Sequence, residues 1–348
     1  MLHRDSGLSI NQRGIKTGSL EFSIDPRDIE VEVDSQLGRG SCGIVNRAVH
    51  KPTGTALAIK CVKLDDRDKR AQLMTDLQTL IKLQNCQNLV QLYSAYFHKQ
   101  SGRVHVALEL MDLGSLQDWL RYLPERGMEE KFIASIFLQI SQALAHLHAH
   151  RQLHRDIKPG NVLINSKGEV KVGDFGISKC LDATAGVCDT FIGTAIYMSP
   201  ERAIGASYSY PADIWSLGVI LFELASGKFP FPPLSSFPAL FDALCNQPEP
   251  RLENSYSIDL REAVQLTLIR DPMSRGTAEN LLKLPICEKA AKSGLPEYLY
   301  SLKGSVGGIG GEGGIGGQEG IGGSGWGGGG SVGRSERVVT DDQTSSNC

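Results

Sequence analysis

His154-Arg155-Asp156-Ile157-Lys158-Pro159-Gly160-Asn161 is the stretch on which the reading of this chain turns, together with Asp174-Phe175-Gly176 a short turn further on. It places two carboxylates, an amide, a lysine and an arginine on two nearby loops. Phosphoryl transfer needs such a set: a carboxylate to orient and deprotonate a hydroxyl, oxygen ligands for a divalent cation, and cations for the developing charge. Either tripeptide alone is common by chance. The extended pair in this order, with an apolar Val162-Leu163-Ile164-Asn165 run between, is not.

Upstream, Gly38-Arg39-Gly40-Ser41-Cys42-Gly43-Ile44-Val45 fits GxGxxGxV. Glycines let a backbone approach phosphates closely with its amides turned to the oxygens. The pattern also marks dinucleotide-binding turns, but those open a helix. Here β-type residues flank it on both sides, and Ala58-Ile59-Lys60 follows at the distance of a third strand. A phosphate-covering hairpin with a phosphate-contacting Lys60 is expected, in preference to a solvated edge lysine.

Strand signals fill the first third: 29–33, 44–45, 56–60, 89–92 and 104–108. Residues 67–84 intervene with helical spacing, Leu73, Leu77, Leu80, Ile81 and Leu83 sharing a face. After Gly114 the character turns helical. Phe132, Ile133, Ile136, Phe137, Ile140, Leu144 and Leu147 repeat at three-to-four intervals, and 215–224 is a second apolar helix. Two lobes with chemistry between them follow from that order. The expected divisions are a partly flexible N-terminal extension over 1–33, a catalytic domain over 34–290, a short extension over 291–303, and a glycine-rich, disordered tail over 304–348.

The 348 residues carry a formal charge of -3 and 41% hydrophobic residues, giving no electrostatic reason to expect nucleic acid. Eight cysteines form no CxxC pair and no Cys/His metal spacing, so reduced thiols are expected. There is no signal-peptide core and no run of about 18 consecutive apolar residues, so no membrane span is expected. A cytoplasmic or nuclear location follows as an expectation.

Residues 34 to 287 resemble the MAP kinase kinase branch of protein kinases. The segments that carry the resemblance are HRDIKPGNVLIN, KVGDFGIS, TFIGTAIYMSPERA and DIWSLGVILFELASGKFPF, with the run Glu109-Leu-Met-Asp112-Leu-Gly-Ser-Leu. The resemblance implies an α+β, bilobal fold: a small antiparallel sheet with one helix, then a larger helical lobe. It implies γ-phosphoryl transfer from ATP with Mg²⁺. Asp156 would accept the substrate hydroxyl proton, Lys158 would contact the transferring phosphate, and Asn161 and Asp174 would hold the metal. ATP would lie under residues 37–45 (Leu37, Gly38, Arg39, Gly40, Ser41, Cys42, Gly43, Ile44, Val45), against Ala58 and Lys60. Its adenine would meet Glu109 to Met111, with Leu108 as gatekeeper. Thr194 would support the Ser/Thr substrate site, Glu201 would pair with Arg275, and Asp213 would brace the catalytic loop.

Kinases pair the lysine with a glutamate on the following helix. Here the sole carboxylate between Lys69 and Leu108 is Asp76, about 1.5 Å shorter in reach. A charge-assisted bond wants about 2.7–2.9 Å, so the helix must move inward or bond through water. Members of the branch phosphorylate Thr and Tyr in a MAP kinase and are activated by a MAP kinase kinase kinase on two loop residues. Thr184 and Thr190 stand there, and Arg155 would read a phosphate on that loop. Arg13-Gly-Ile-Lys16-Thr-Gly-Ser-Leu20 is a poor version of a MAP kinase docking motif. Two other readings stay open: another serine/threonine kinase of the neighbouring STE branches, and a weakly active or pseudokinase scaffold that binds a MAP kinase.

Overall fold

The computed structural model describes residues 2–3, 8–17, 20–40, 43–63, 67–174, 196–231 and 236–307. Thr184, Thr190, Thr194, Ser41, Cys42 and residues 308–348 lie outside them.

The chain begins with a small antiparallel sheet, β1 (Leu2–His3), β2 (Leu8–Ile10), β3 (Gly14–Thr17) and β4 (Leu20–Ser23), ordered as in sequence. Over 1–33, expected to be a partly flexible extension, the described residues thus carry a sheet. Leu8 and Ile15 are 0% and Ile10 is 1% exposed, packed in one core with Leu73, Met74 and Leu77. Two hydrogen bonds to the sheet's backbone seal the junction: Phe97 N–H donates to Asn11 O at 2.8 Å, and the Ser94 hydroxyl donates to Phe22 O at 2.6 Å. The weak docking motif is therefore β3, with its Ile15 committed to the core.

A five-stranded antiparallel sheet follows: β5 (Ile29–Gly40), β6 (Gly43–His50), β7 (Thr55–Val62), β8 (Leu92–His98) and β9 (Arg103–Glu109), in the order β5-β6-β7-β9-β8. The strand expected at 89–92 starts only at Leu92; Leu89 makes an isolated bridge to Val172. Side chains alternate between faces along each strand. Leu57, Ile59 and Ala107 fill a cluster with Ile24, Ala48 and Tyr96, while Val62, Val104 and Val106 meet the helix α1 (Arg67–Lys82) in the main core. α1 buries Leu73, Met74, Leu77 and Leu80, the face its spacing predicted.

The larger lobe contains α2 (Leu116–Leu120), α3 (Glu130–Ala149), the hairpin β10 (Val162–Ile164) and β11 (Val170–Val172), then α4 (Pro200–Ala203), α5 (Tyr210–Ser226), α6 (Phe237–Cys245), α7 (Ile258–Thr267), α8 (Ala278–Leu281) and α9 (Leu295–Gly307). α3 has the length and composition of a membrane-crossing helix, but most of it is buried inside this fold. α5 is apolar nearly all round and buried, with Trp215 at its centre, as such a pattern requires. At Gly218 a Cβ would come 2.6 Å from Thr267 Oγ1, so the missing side chain lets α7 approach. α9 runs through residue 307, past the expected start of the tail at 304, and docks by Leu299 and a Phe132–Tyr298 ring stack at 4.4 Å.

Candidate active site

The catalytic-loop residues are held from below by α5. Asp213 is fully buried near its start, and its Oδ2 accepts His154 N–H at 3.0 Å and lies 3.1 Å from His148 Nε2. Its Oδ1 accepts Arg155 N–H at 3.0 Å and the Tyr208 hydroxyl at 2.8 Å. Burial pushes this carboxyl up, but the His148 bond and the loop amides outweigh it and hold it below its usual value. Arg155 can thus keep φ 69, a left-handed conformation that side-chain-bearing residues rarely adopt. His154 is buried; Asp156 N–H donates to its Nδ1 at 3.3 Å and Nε2 stands 2.9 Å from Gly173 O. That pattern fits the neutral, Nε2-protonated ring, and burial lowers its pKa accordingly.

Three expected residues come together at Asp156. Lys158 Nζ lies 3.0 Å from Asp156 Oδ2. Asn161 Nδ2 donates to Asp156 O at 2.7 Å and to its Oδ2 at 3.0 Å. With the amide nitrogen so engaged, the oxygen of Asn161 is the atom left to hold a cation. Asp174, at φ 55, supplies a half-exposed carboxylate nearby in sequence. An amide oxygen and a carboxylate are hard donors, fitting a magnesium-type ion.

Across the cleft, Lys60 is 4% exposed and donates to Asp174 Oδ1 at 2.5 Å. The expected Lys60–Asp76 pair is not formed. Asp76 Oδ1 instead accepts Gln72 Nε2 at 2.7 Å, and among the described residues its buried Oδ2 has no partner. Burial pushes the Asp76 carboxyl up to about 7, against the Gln72 bond and the fields of Lys60 and Arg155. The short side chain is the physical reason: it turns to a donor one helical turn away on its own helix.

Strand register accounts for the roof of the cleft. Val45 pairs with Lys60, Lys60 with Val106, and Ala58 with Leu108, so these side chains share one face. Ile44 pairs with Cys61 and points to the other face, so of its expected contact only the backbone remains. Gly38 leaves open space where a Cβ would stand, whereas at Gly43, φ 150, a Cβ would come 2.0 Å from Cys61 O. The last glycine of the motif therefore serves strand pairing. Leu37 is 50% exposed and Met111 is buried. The Glu109 carboxylate turns away to Lys171 Nζ at 2.7 Å.

Glu201 and Arg275 form the expected bidentate pair, at 2.8 and 3.0 Å, both buried. Sequence reading missed Gln72 and Lys171. Only the charge inside Val170-Lys171-Val172 hinted that a buried partner was waiting.

Residues 31–286 match the protein kinase domain family. The chain is 40% identical over 265 residues to mitogen-activated protein kinase kinase 3 of Arabidopsis thaliana, covering 76% of this chain and 51% of that protein. It is 36% identical over 311 residues to mitogen-activated protein kinase kinase 2 of the same plant, covering 84% of each. To dual specificity mitogen-activated protein kinase kinase 1 of Dictyostelium discoideum it is 41% identical over 212 residues, 60% of this chain and 31% of that one. The chain thus spans about half the length of the first of these relatives and most of the second.

Proposed function

The chain belongs to the MAP kinase kinase family of protein kinases, and from that premise we propose that it phosphorylates a threonine and a tyrosine in the activation loop of a MAP kinase. The observation that carries this reading is the cluster at Asp156: a carboxylate flanked by Lys158 and Asn161, on a loop braced by Asp213. Asp156 takes the proton of the substrate hydroxyl as its oxygen attacks the γ-phosphorus of ATP. The bond to the β–γ bridging oxygen breaks, and ADP leaves with the electron pair. Lys158 steadies the transferring phosphoryl group, and Lys60 orients the phosphates behind it. Asn161 and Asp174 would hold Mg²⁺, which supplies charge neutralisation at the phosphates. Asp76 is the carboxylate available to position Lys60.

Activation is assigned to phosphorylation of Thr184 and Thr190 by an upstream MAP kinase kinase kinase, with Arg155 as the cation that reads the loop. Thr194 supports the substrate hydroxyl. The second reading, a weakly active scaffold that holds a MAP kinase, draws on one observation: Asp76 bonds Gln72 in place of Lys60.

The test is an assay of the purified full chain with Mg-ATP and an intact MAP kinase made inactive at its own catalytic aspartate. Phosphate on both Thr and Tyr of the target loop, lost in Asp156→Asn, supports the proposal. Phosphate on Ser/Thr proteins alone points to another STE-branch kinase. Binding without phosphate transfer points to the scaffold.

A further inference from the structure

Gln72 and Asp76 lie one turn apart on α1, and side chains on a helix lean toward its N-terminus. An aspartate at 76 therefore reaches back along its own helix as readily as it reaches across the cleft. Among the described residues, its surroundings in the small lobe offer two donors. One is the neutral amide of Gln72, bonded at 2.7 Å; the other is the ammonium of Lys60, which is engaged 2.5 Å from Asp174. The second carboxylate oxygen of Asp76 is buried and has no partner among the described residues. An ammonium donor brings a full opposite charge that a neutral amide lacks, so a buried carboxylate gains more from it. Its presence on the amide is thus a matter of reach, since one further methylene would carry the oxygens about 1.5 Å outward.

We infer that Gln72 is a positioning residue that latches Asp76 to α1, so that the Lys60–Asp76 pair forms only when the Gln72 bond is exchanged for the lysine. The inference rests on the reading that Asp76 is the partner of Lys60 in the working enzyme. The latch costs the resting enzyme the pair that orients Lys60, and it makes the helix switch between two alternative partners of one carboxylate.

The variants are Gln72→Met, of similar length and helix preference but without an amide, and Gln72→Ala as a second form in case the first packs poorly. Each is measured in the full chain without loop phosphorylation, alone and combined with Asp76→Ala, with a thermal melt to confirm folding. The expected result is a rise of about three- to tenfold in turnover for both single variants, the scale of one ordinary net hydrogen bond. The rise should disappear when Asp76→Ala is present. A loosened helix without a latch would keep its effect in that background, and that result overturns the inference. Unchanged or reduced turnover in both single variants, with Asp76→Ala reduced, also overturns it while leaving the Lys60–Asp76 reading standing. If Asp76→Ala alone equals wild type, the underlying ion-pair reading fails, and the latch falls with it.

Discussion

Lys60 Nζ and Asp174 Oδ1 meet at 2.5 Å across 114 residues of chain, tying β7 of the small lobe to the end of the β10–β11 hairpin in the large one. The lysine is buried and the aspartate half exposed, so the two partners are not equivalent. Asp174→Ala leaves a buried ammonium without its closest acceptor, at a cost of about 1–3 kcal/mol in unfolding free energy. Lys60→Met replaces the charge by a flexible apolar chain of similar length and should cost less. The double variant should be closer to Lys60→Met than to the sum, and denaturant midpoints of the four proteins check this. Simple additivity would mean the contact contributes nothing.

Asp76 should give the fold a recognisable pH dependence. Its folded value of about 7 lies above the unfolded value of about 3.9. Between those two pH values the folded chain holds a proton that the unfolded chain has lost. Stability therefore falls as pH rises through this window, and the penalty is complete above it. The groups facing it are Gln72 on its own helix, Lys60 on β7 and Arg155 on the catalytic loop. Asp76→Asn should flatten the decline between pH 5 and pH 7 by on the order of 2 kcal/mol. Melting temperatures of the two proteins measured across that range would run parallel if the assignment were wrong.

The catalytic loop was legible because its working parts are contiguous: Asp156, Lys158 and Asn161 lie within six residues, and the chain cannot separate them far. Glu201 and Arg275 were legible only through resemblance, since 74 residues separate them. Asp76 was half legible. Its length announced a reach problem, but a sequence does not say which of two donors a short carboxylate will take. Gln72 reads as an ordinary polar helix residue until that choice is known. The N-terminal sheet escaped notice for another reason: Leu8, Ile10 and Ile15 are few and set among polar residues. What they pack on is β8, much later in the chain, within the core cluster that also holds Leu73, Met74 and Leu77 of α1.

The Glu201–Arg275 pair should be the least replaceable polar contact in the large lobe. Beyond its bidentate hold on Glu201, the guanidinium donates to Ile269 O, Pro211 O and Arg270 O, and it lies 5.1 Å from the ring centre of Trp215. Arg275→Ala strands a buried carboxylate and three carbonyls and should cost about 3–5 kcal/mol. Arg275→Lys cannot reproduce the fork and should recover only part of this. Thermal denaturation of the three proteins decides, and a lysine variant as stable as wild type would contradict the account.

Thr184 and Thr190 carry the activation proposal, although both lie outside the described residues. Acidic residues at both positions should raise turnover of a MAP kinase substrate at least several-fold, with Thr190→Glu alone giving more than Thr184→Glu alone. Steady-state rates of the two single variants and the pair test this. A double acidic variant no faster than wild type would remove these threonines from the mechanism.

The buried triad Leu8, Ile10 and Ile15 also bears on where this protein can be cut. The family match starts at residue 31, but the folded body does not. A chain begun there would lose the strands that pack on β8 and the part of the core that Leu8, Ile10 and Ile15 fill. Burying three such side chains stabilises by roughly 1.5–3 kcal/mol each, a sum comparable with the whole stability of an ordinary domain. Proteolysis between β4 and β5 should therefore yield aggregates rather than a trimmed enzyme.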